Sequence, residues 1–445
     1  MNRIHIKNAS IVNEGKRFRG SVVIEGEKIT DVLEEGQECL PPCHETIDAE
    51  GCLLLPGVID DHVHFRDPGL IHKADISSES KAAVAGGVTS IMDMPNTNPP
   101  TVTLAALNRK FDEMSEKSLV NYSCYFGATN ENYNEFKYLD AHRVCGIKVF
   151  MGSSTGNMLV DKVESLHHIF GETDLLIAAH CEDQATIERN IEKYKSKTVN
   201  EDLPVEYHPY IRSAEACYKS SRLAVRLANE MGARLHLLHI TTAKELELLT
   251  NTSLENKRIT AEVCIPHLIF TSADYSVLGS RIKCNPAIKD ASDRDALHSA
   301  VNAGLIDVIA TDHAPHLLNE KEGGALKAVS GMPMVQFSLV SMLKLVDEGV
   351  FTVEEVVEKM CHAPAQIYNI YHRGYIRSGY QADLVLVKPI HWTLTNKDIL
   401  SKCKWSPLEG KAFSHRIDKT FVNGHLMYSN GQVEETYRGH ELRFN

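Results

Sequence analysis

The chain has 445 residues, 43% of them apolar and 24% charged, long enough for one large domain and a smaller one. A formal net charge of -12 with no offsetting basic stripe excludes nucleic acid as the expected partner. Eleven cysteines without a Cys-x-x-Cys, no apolar leader between Met1 and Ser10, and no apolar run of spanning length predict reduced thiols and a cytoplasmic protein outside the membrane.

Residues 1–55 read as β-structure. Arg3-Ile4-His5-Ile6-Lys7 alternates, and Ser21–Ile24 and Ile29–Val32 follow after glycine-containing turns. From Cys52 the pattern becomes strand, helix, strand, helix. Apolar strands are predicted to end near His64, Met94, Phe126, Phe150, His180, His239, Val263 and Asp312. Amphipathic stretches fall between them at Ser78–Ala85, Leu104–Met114, Val160–Phe170, Ala214–Met231, Ala243–Leu249 and Ala291–Ala303. Eight such repeats over residues 56–371 fit an α/β fold, a (β/α)8 TIM barrel with its chemistry at the C-terminal strand ends. Residues 372–445 return to β-structure and should join residues 1–55 in one small β-sandwich built from both termini.

The first barrel strand carries the densest chemistry. Alternation puts His62, His64 and Arg66 on one face and Val63 and Phe65 on the other. Two imidazoles on one face can close on a metal ion, with a fixed cation beside it. Lys148 stands inside the apolar run Gly146–Phe150, where a lone ammonium is costly. It must be paired, neutral, modified, or snorkelling to the barrel rim. Carbamylation would make it a carboxylate able to bridge two cations. His180 ends the next strand. His236 and His239 have opposite parity, so one of them should face inward, and His239 at the strand end is preferred. Asp312 closes the eighth strand, and its carboxylate is able to ligate a metal and shuttle a proton. Each such residue alone reads more simply as a satisfied polar group, but five sites ending five strands in order do not. Four histidines, a lysine and an aspartate suit zinc and argue against a redox metal.

The His62-x-His64-x-Arg66-Asp67-Pro68-Gly69 run, with Met94-Pro95-Asn96-Thr97 and Thr311-Asp312-His313-Ala314-Pro315-His316, resembles the class I dihydroorotases of the amidohydrolase superfamily. The likeness extends to Trp405–Gly410 and Val422-Asn423-Gly424. It implies two zinc ions per subunit, His62, His64 and Asp312 on one, His180 and His239 on the other, and carbamylated Lys148 as the bridge. It implies a substrate-carboxylate clamp of Arg66, Asn96 and His316, with His64, Asn285, Ser330 and Gly331 also touching substrate. The implied reaction is reversible ring opening of dihydroorotate to N-carbamoyl-aspartate, with Asp312 moving the proton. A homodimer and association with aspartate carbamoyltransferase are implied as well. Rival readings are a hydantoinase, dihydropyrimidinase or allantoinase, whose substrates lack the ring carboxylate, and a silent scaffold, which would have lost ligands.

Two stretches depart from the family pattern. Gly152-Ser153-Ser154-Thr155-Gly156 lacks the Asp-Asp-Gly of some relatives, leaving the bridging duty to Lys148. Gly331–Gln336 lacks the expected glycine and glutamate. The glycine-containing loop from His316 to Gly331 is expected to close over substrate as a lid.

Overall fold

Nine short parallel segments build the centre of the computed structural model, which describes residues 3–37, 39, 41, 43–152, 158–196 and 201–445. Val58–Val63, Val88–Asp93 and Asn121–Cys124 pair side by side. Phe126–Gly127, Ile147–Phe150, Ile177–His180, Leu235–Leu237, Ile259–Cys264 and Val308–Ala310 form the other run. The third barrel strand is the broken one. Its first half pairs with the second strand and its second half with the fourth, and the Tyr125 amide bonds to Asp93 O between them.

Two hydrogen bonds close the ring. His64 N donates to His313 O at 2.7 Å, and the Thr311 hydroxyl donates to the Asp60 carboxylate at 2.6 Å, so the eighth strand is sewn to the first. Burial pushes the Asp60 carboxyl up to about 7, against the Thr311 hydrogen bond. Outward-facing Val63, Phe65, Ile147, Val149, Ile177 and Ala179 pack into the layer beneath the helices, while Met92, Tyr125 and Ala178 pack inside the barrel. This is the two-faced burial that the alternation predicts.

The helix Ala214–Met231 shows why these segments are helical. Ser213 accepts from Ala216 N, Gly232 takes φ 67° past the end, and Ala216, Ala224, Leu227 and Ala228 share the buried face. Burying Leu227 contributes about 1.5–3 kcal/mol, which a charged residue there would forfeit. The stretch predicted as a helix at Ala243–Leu249 is instead a short 3-10 turn, Glu245–Leu248. A charged helix, Gln184–Lys195, follows Asp183, whose side chain caps Thr186 N.

Both termini enter a nine-stranded sheet, in which Leu384–Lys388 lies antiparallel to Leu53–Pro56. Ile6, Ile11, Val22, Ile24, Leu54, Leu384, Leu386 and Phe421 fill its core. The last residues leave the sheet: Leu442 and Phe444 pack with Ile370 into the core inside the barrel. Among the described residues no helix is long and apolar enough to cross a membrane.

Candidate active site

All twelve residues singled out from the sequence line one cleft of about 910 Å³ at the C-terminal ends of the strands: His62, His64, Arg66, Asn96, Lys148, His180, His239, Asn285, Asp312, His316, Ser330 and Gly331. Phe150, Arg212, Ala314 and Val329 complete its walls. Of the Gly152–Gly156 stretch that departs from the family pattern, residues 153–156 lie outside the described residues.

Backbone strain aims several of these side chains. Arg66, His239 and Asp312 have φ of 66°, 38° and 47°, a left-handed conformation that non-glycine residues seldom adopt. The first strand ends at Val63, so Arg66 reaches the cleft through this turn and strand alternation does not place it. His236 and His239 both point inward, which corrects the parity argument. His236 is buried in the barrel beside Asp61 and Glu262, and the left-handed turn at His239 swings its ring back over the cleft. Gly331 is required where it stands. Its φ is 128°, and a Cβ would meet Ala314 O at 2.6 Å.

The ligand atoms converge in two groups. Asp312 Oδ1 lies 3.3 Å from His62 Nε2 and 3.0 Å from His64 Nε2. Across the cleft His180 Nδ1 lies 2.9 Å from His239 Nε2. Burial, with neighbouring cations, holds His180 and His239 below the usual histidine range and takes His64 down to about 3. Neutral imidazoles are what a metal ion requires; His62 differs, since Glu262 and Asp312 outweigh burial and raise it. Asp312 is held as a carboxylate, because His62, His64 and Lys148 outweigh the burial that opposes its charge. Lys148 is 1% exposed, has no carboxylate within ion-pair distance among the described residues, and is pushed by burial down to about 8. Three of the donors, His62, His64 and Asp312, already lie close enough to share one ion. The donor set therefore fits a metal centre.

A second ring of residues holds the first. Glu262 Oε1 accepts from His62 Nδ1 at 2.6 Å and from the His239 amide at 2.9 Å. Asn96 Oδ1 accepts from His64 Nδ1 at 2.6 Å. Glu182 sits behind His180 Nε2 at 3.0 Å and is ion-paired with Arg212. Each fixes a ring so that its other nitrogen faces the cleft. Glu262, Glu182 and Arg212 were missed in the sequence. For Glu262 the signal was present, an ionisable residue inside the apolar strand Ile259–Cys264, as for Lys148.

The far end of the cleft is electropositive. Arg66 is 4% exposed and donates through Nε to Pro315 O at 3.1 Å and through an Nη to His316 Nε2 at 2.9 Å. No carboxylate lies within ion-pair distance of it among the described residues. Burial, Arg66, Lys73 and Lys321 keep His316 neutral, well below its ordinary value.

Residues 53–427 match the amidohydrolase family. The chain belongs to that family. Among relatives of this amidohydrolase, the dihydroorotase of Methanosarcina mazei is 31% identical over 92% of the chain and 90% of the relative. The dihydroorotase of Lactobacillus johnsonii is 30% identical over 96% and 99%. Among solved structures, the L-hydantoinase (dihydropyrimidinase) of Arthrobacter aurescens superposes with a TM-score of 0.90, 27% identity and 98% coverage of both chains. A D-hydantoinase (dihydropyrimidinase) from Thermus sp. superposes with 0.88, 21% identity and 99% of both, which speaks to fold alone. The barrel and two-ended β-sandwich are thus those of its family. This amidohydrolase is a cyclic amide hydrolase, dihydroorotase-like in sequence.

Proposed function

We propose that the enzyme is a zinc-dependent dihydroorotase, interconverting dihydroorotate and N-carbamoyl-aspartate in pyrimidine synthesis. One observation carries the choice of substrate: Arg66 is a buried guanidinium facing the cleft with no carboxylate partner among the described residues. A desolvated cation of that kind is matched by an anionic group on the ligand, and its planar fork suits a carboxylate. Asn96 and His316 beside it complete the proposed clamp, with His64, Asn285, Ser330 and Gly331 against the ring.

His62, His64 and Asp312 would hold one zinc ion, His180 and His239 the other, and carbamylated Lys148 would lie between. Bound there, the two ions supply Lewis-acid polarisation of the ring carbonyl and an acidified water. Asp312, kept ionised by its histidine neighbours, takes the proton of the attacking water and returns it to the ring nitrogen as the C–N bond breaks. Arg66 and His316 hold the substrate carboxylate away from this centre, so that the carbonyl carbon is presented to the water. The proposal includes cytoplasmic residence, carried by the scattered cysteines, and a homodimer and association with aspartate carbamoyltransferase, carried by the resemblance.

A second reading, hydantoin or dihydropyrimidine hydrolysis, is favoured by the superposition on the Arthrobacter enzyme. Turnover of dihydroorotate, dihydrouracil, hydantoin and allantoin by the zinc-supplemented protein decides between them. Dihydroorotate should be preferred. Preference for a neutral ring would replace this proposal with the second.

A further inference from the structure

The loop expected to act as a lid is held from beneath by a buried lysine. Lys321 is 2% exposed, and its ammonium donates to Lys283 O at 2.9 Å, Val329 O at 2.8 Å and Gly331 O at 2.7 Å. These acceptors belong to two separate backbone segments, and Gly331 N adds a direct bond to Lys283 O at 2.9 Å. Both segments lead to the cleft, one at Asn285 and the other at Val329, Ser330 and Gly331. Lys283 ties them again, its own ammonium donating to Ala328 O. Neither lysine has a carboxylate within ion-pair distance among the described residues, so backbone carbonyls are the acceptors for both amino groups.

The residue type follows from the geometry. Three carbonyls converging on one point need three N–H donors on one atom, which lysine alone supplies; arginine spreads its donors over a planar fork. Other ties hold the rest of the loop. Gly324 N and Leu326 N donate to the Asp202 carboxylate, and Trp405 Nε1 donates to His316 O at 2.7 Å.

We infer that Lys321 is a positioning residue, which pins Val329–Gly331 to the Lys283–Asn285 turn and makes this side of the cleft a preformed wall. The substrate-binding part of the inference rests on the proposed function, since Ser330 and Gly331 are assigned there to substrate contact. The wall itself does not.

Two measurements separate the parts. Amide hydrogen exchange of the free protein should show Val329 and Gly331 already protected, with little change when product is added. In Lys321→Met these amides should exchange roughly 10- to 100-fold faster, the range expected when a buried charge-assisted contact is lost. KM for dihydroorotate should rise about 10-fold with kcat within about 3-fold and metal content unchanged, because positioning of the wall acts on binding. Lys321→Arg should not restore KM. If Lys321→Met does not fold, Lys321→Gln, which keeps two donors and loses the charge, should show a smaller change of the same kind. Fast exchange in the free wild type that slows only with product would overturn the wall in favour of a lid. Unchanged exchange and unchanged KM in both variants would remove Lys321 from the account. Absence of dihydroorotate turnover in the wild type would strike the proposed function and leave the exchange result standing.

Discussion

His62 Nδ1 lies 2.6 Å from Glu262 Oε1, deep in the barrel, so the orientation of the first proposed metal ligand is set by a carboxylate two hundred residues away. Glu262 also accepts from the His239 amide, and His236 stands on its other side. It stays ionised because His62 and His236 outweigh the burial that opposes its charge. One carboxylate thus supports ligands of both proposed zinc ions.

Glu262→Gln keeps the shape and removes the charge, and it should lower zinc affinity about 10- to 100-fold. Competition against a chelator, read by elemental analysis at equilibrium, measures this. The wild type should carry two zinc ions per chain. Affinity unchanged in the variant would demote Glu262 to packing, and a wild type that takes up no more than one ion would remove the binuclear centre.

Lys148 should be carbamylated, and its formation should depend on pH. Only the free amine attacks carbon dioxide, forming the N–C bond as the nitrogen loses its proton. Burial lowers the Lys148 amine to about 8 from an ordinary 10.5, so the reactive form grows as pH rises through about 8. Zinc reconstitution of apoprotein in bicarbonate should therefore be faster at alkaline pH than below neutrality, and should fail in Lys148→Met. Native mass spectrometry of the zinc-loaded chain should show one added carbon dioxide. Its absence would leave a free lysine and refute the bridge.

Glu79 makes a prediction about stability rather than catalysis. Its buried carboxylate accepts from Lys402 N at 2.9 Å and from the Ser401 hydroxyl at 2.5 Å, and pairs with His313 Nε2 at 2.9 Å, joining a helix, the eighth strand end and the C-terminal segment. These partners outweigh burial and hold it below 4.5. A depressed carboxylate contributes stability above its unfolded value and loses it as pH falls through the folded one. Glu79→Gln should cost about 1.5–3 kcal/mol at neutral pH, with the gap to wild type narrowing below pH 4.5. Thermal melts at pH 7 and pH 4 check it; an equal gap at both would contradict the assignment.

The barrel and the proposed ligands were legible because burying an ionisable group in an apolar strand is costly, which makes Lys148, His180 and Asp312 conspicuous. Glu262 carried the same signal and went unread. Alternation put His62 and His64 on one face and Val63 and Phe65 on the other; Arg66 and His239 reach the cleft as expected, but through left-handed turns that alternation does not describe, and the parity rule failed in excluding His236. The length and glycines of the loop from His316 suggest a lid. Lys321, which fastens it, gave no warning because its partners are backbone carbonyls. Gln336, in the stretch that lacks the expected glutamate, donates to Asp398 O and accepts from Leu400 N, supporting the segment before Trp405.

The central claim is that Arg66 meets a carboxylate on the substrate. Truncating one side of such a desolvated pair costs about 2–5 kcal/mol, roughly 30- to 5000-fold in kcat/KM. Arg66→Lys should recover little, because a point charge replaces the fork. The measurement is kcat/KM for dihydroorotate and for the neutral ring dihydrouracil, in wild type and Arg66→Ala at equal zinc content. kcat/KM should fall within that range for dihydroorotate and hardly at all for dihydrouracil. An equal fall for both would make Arg66 structural and contradict the assignment.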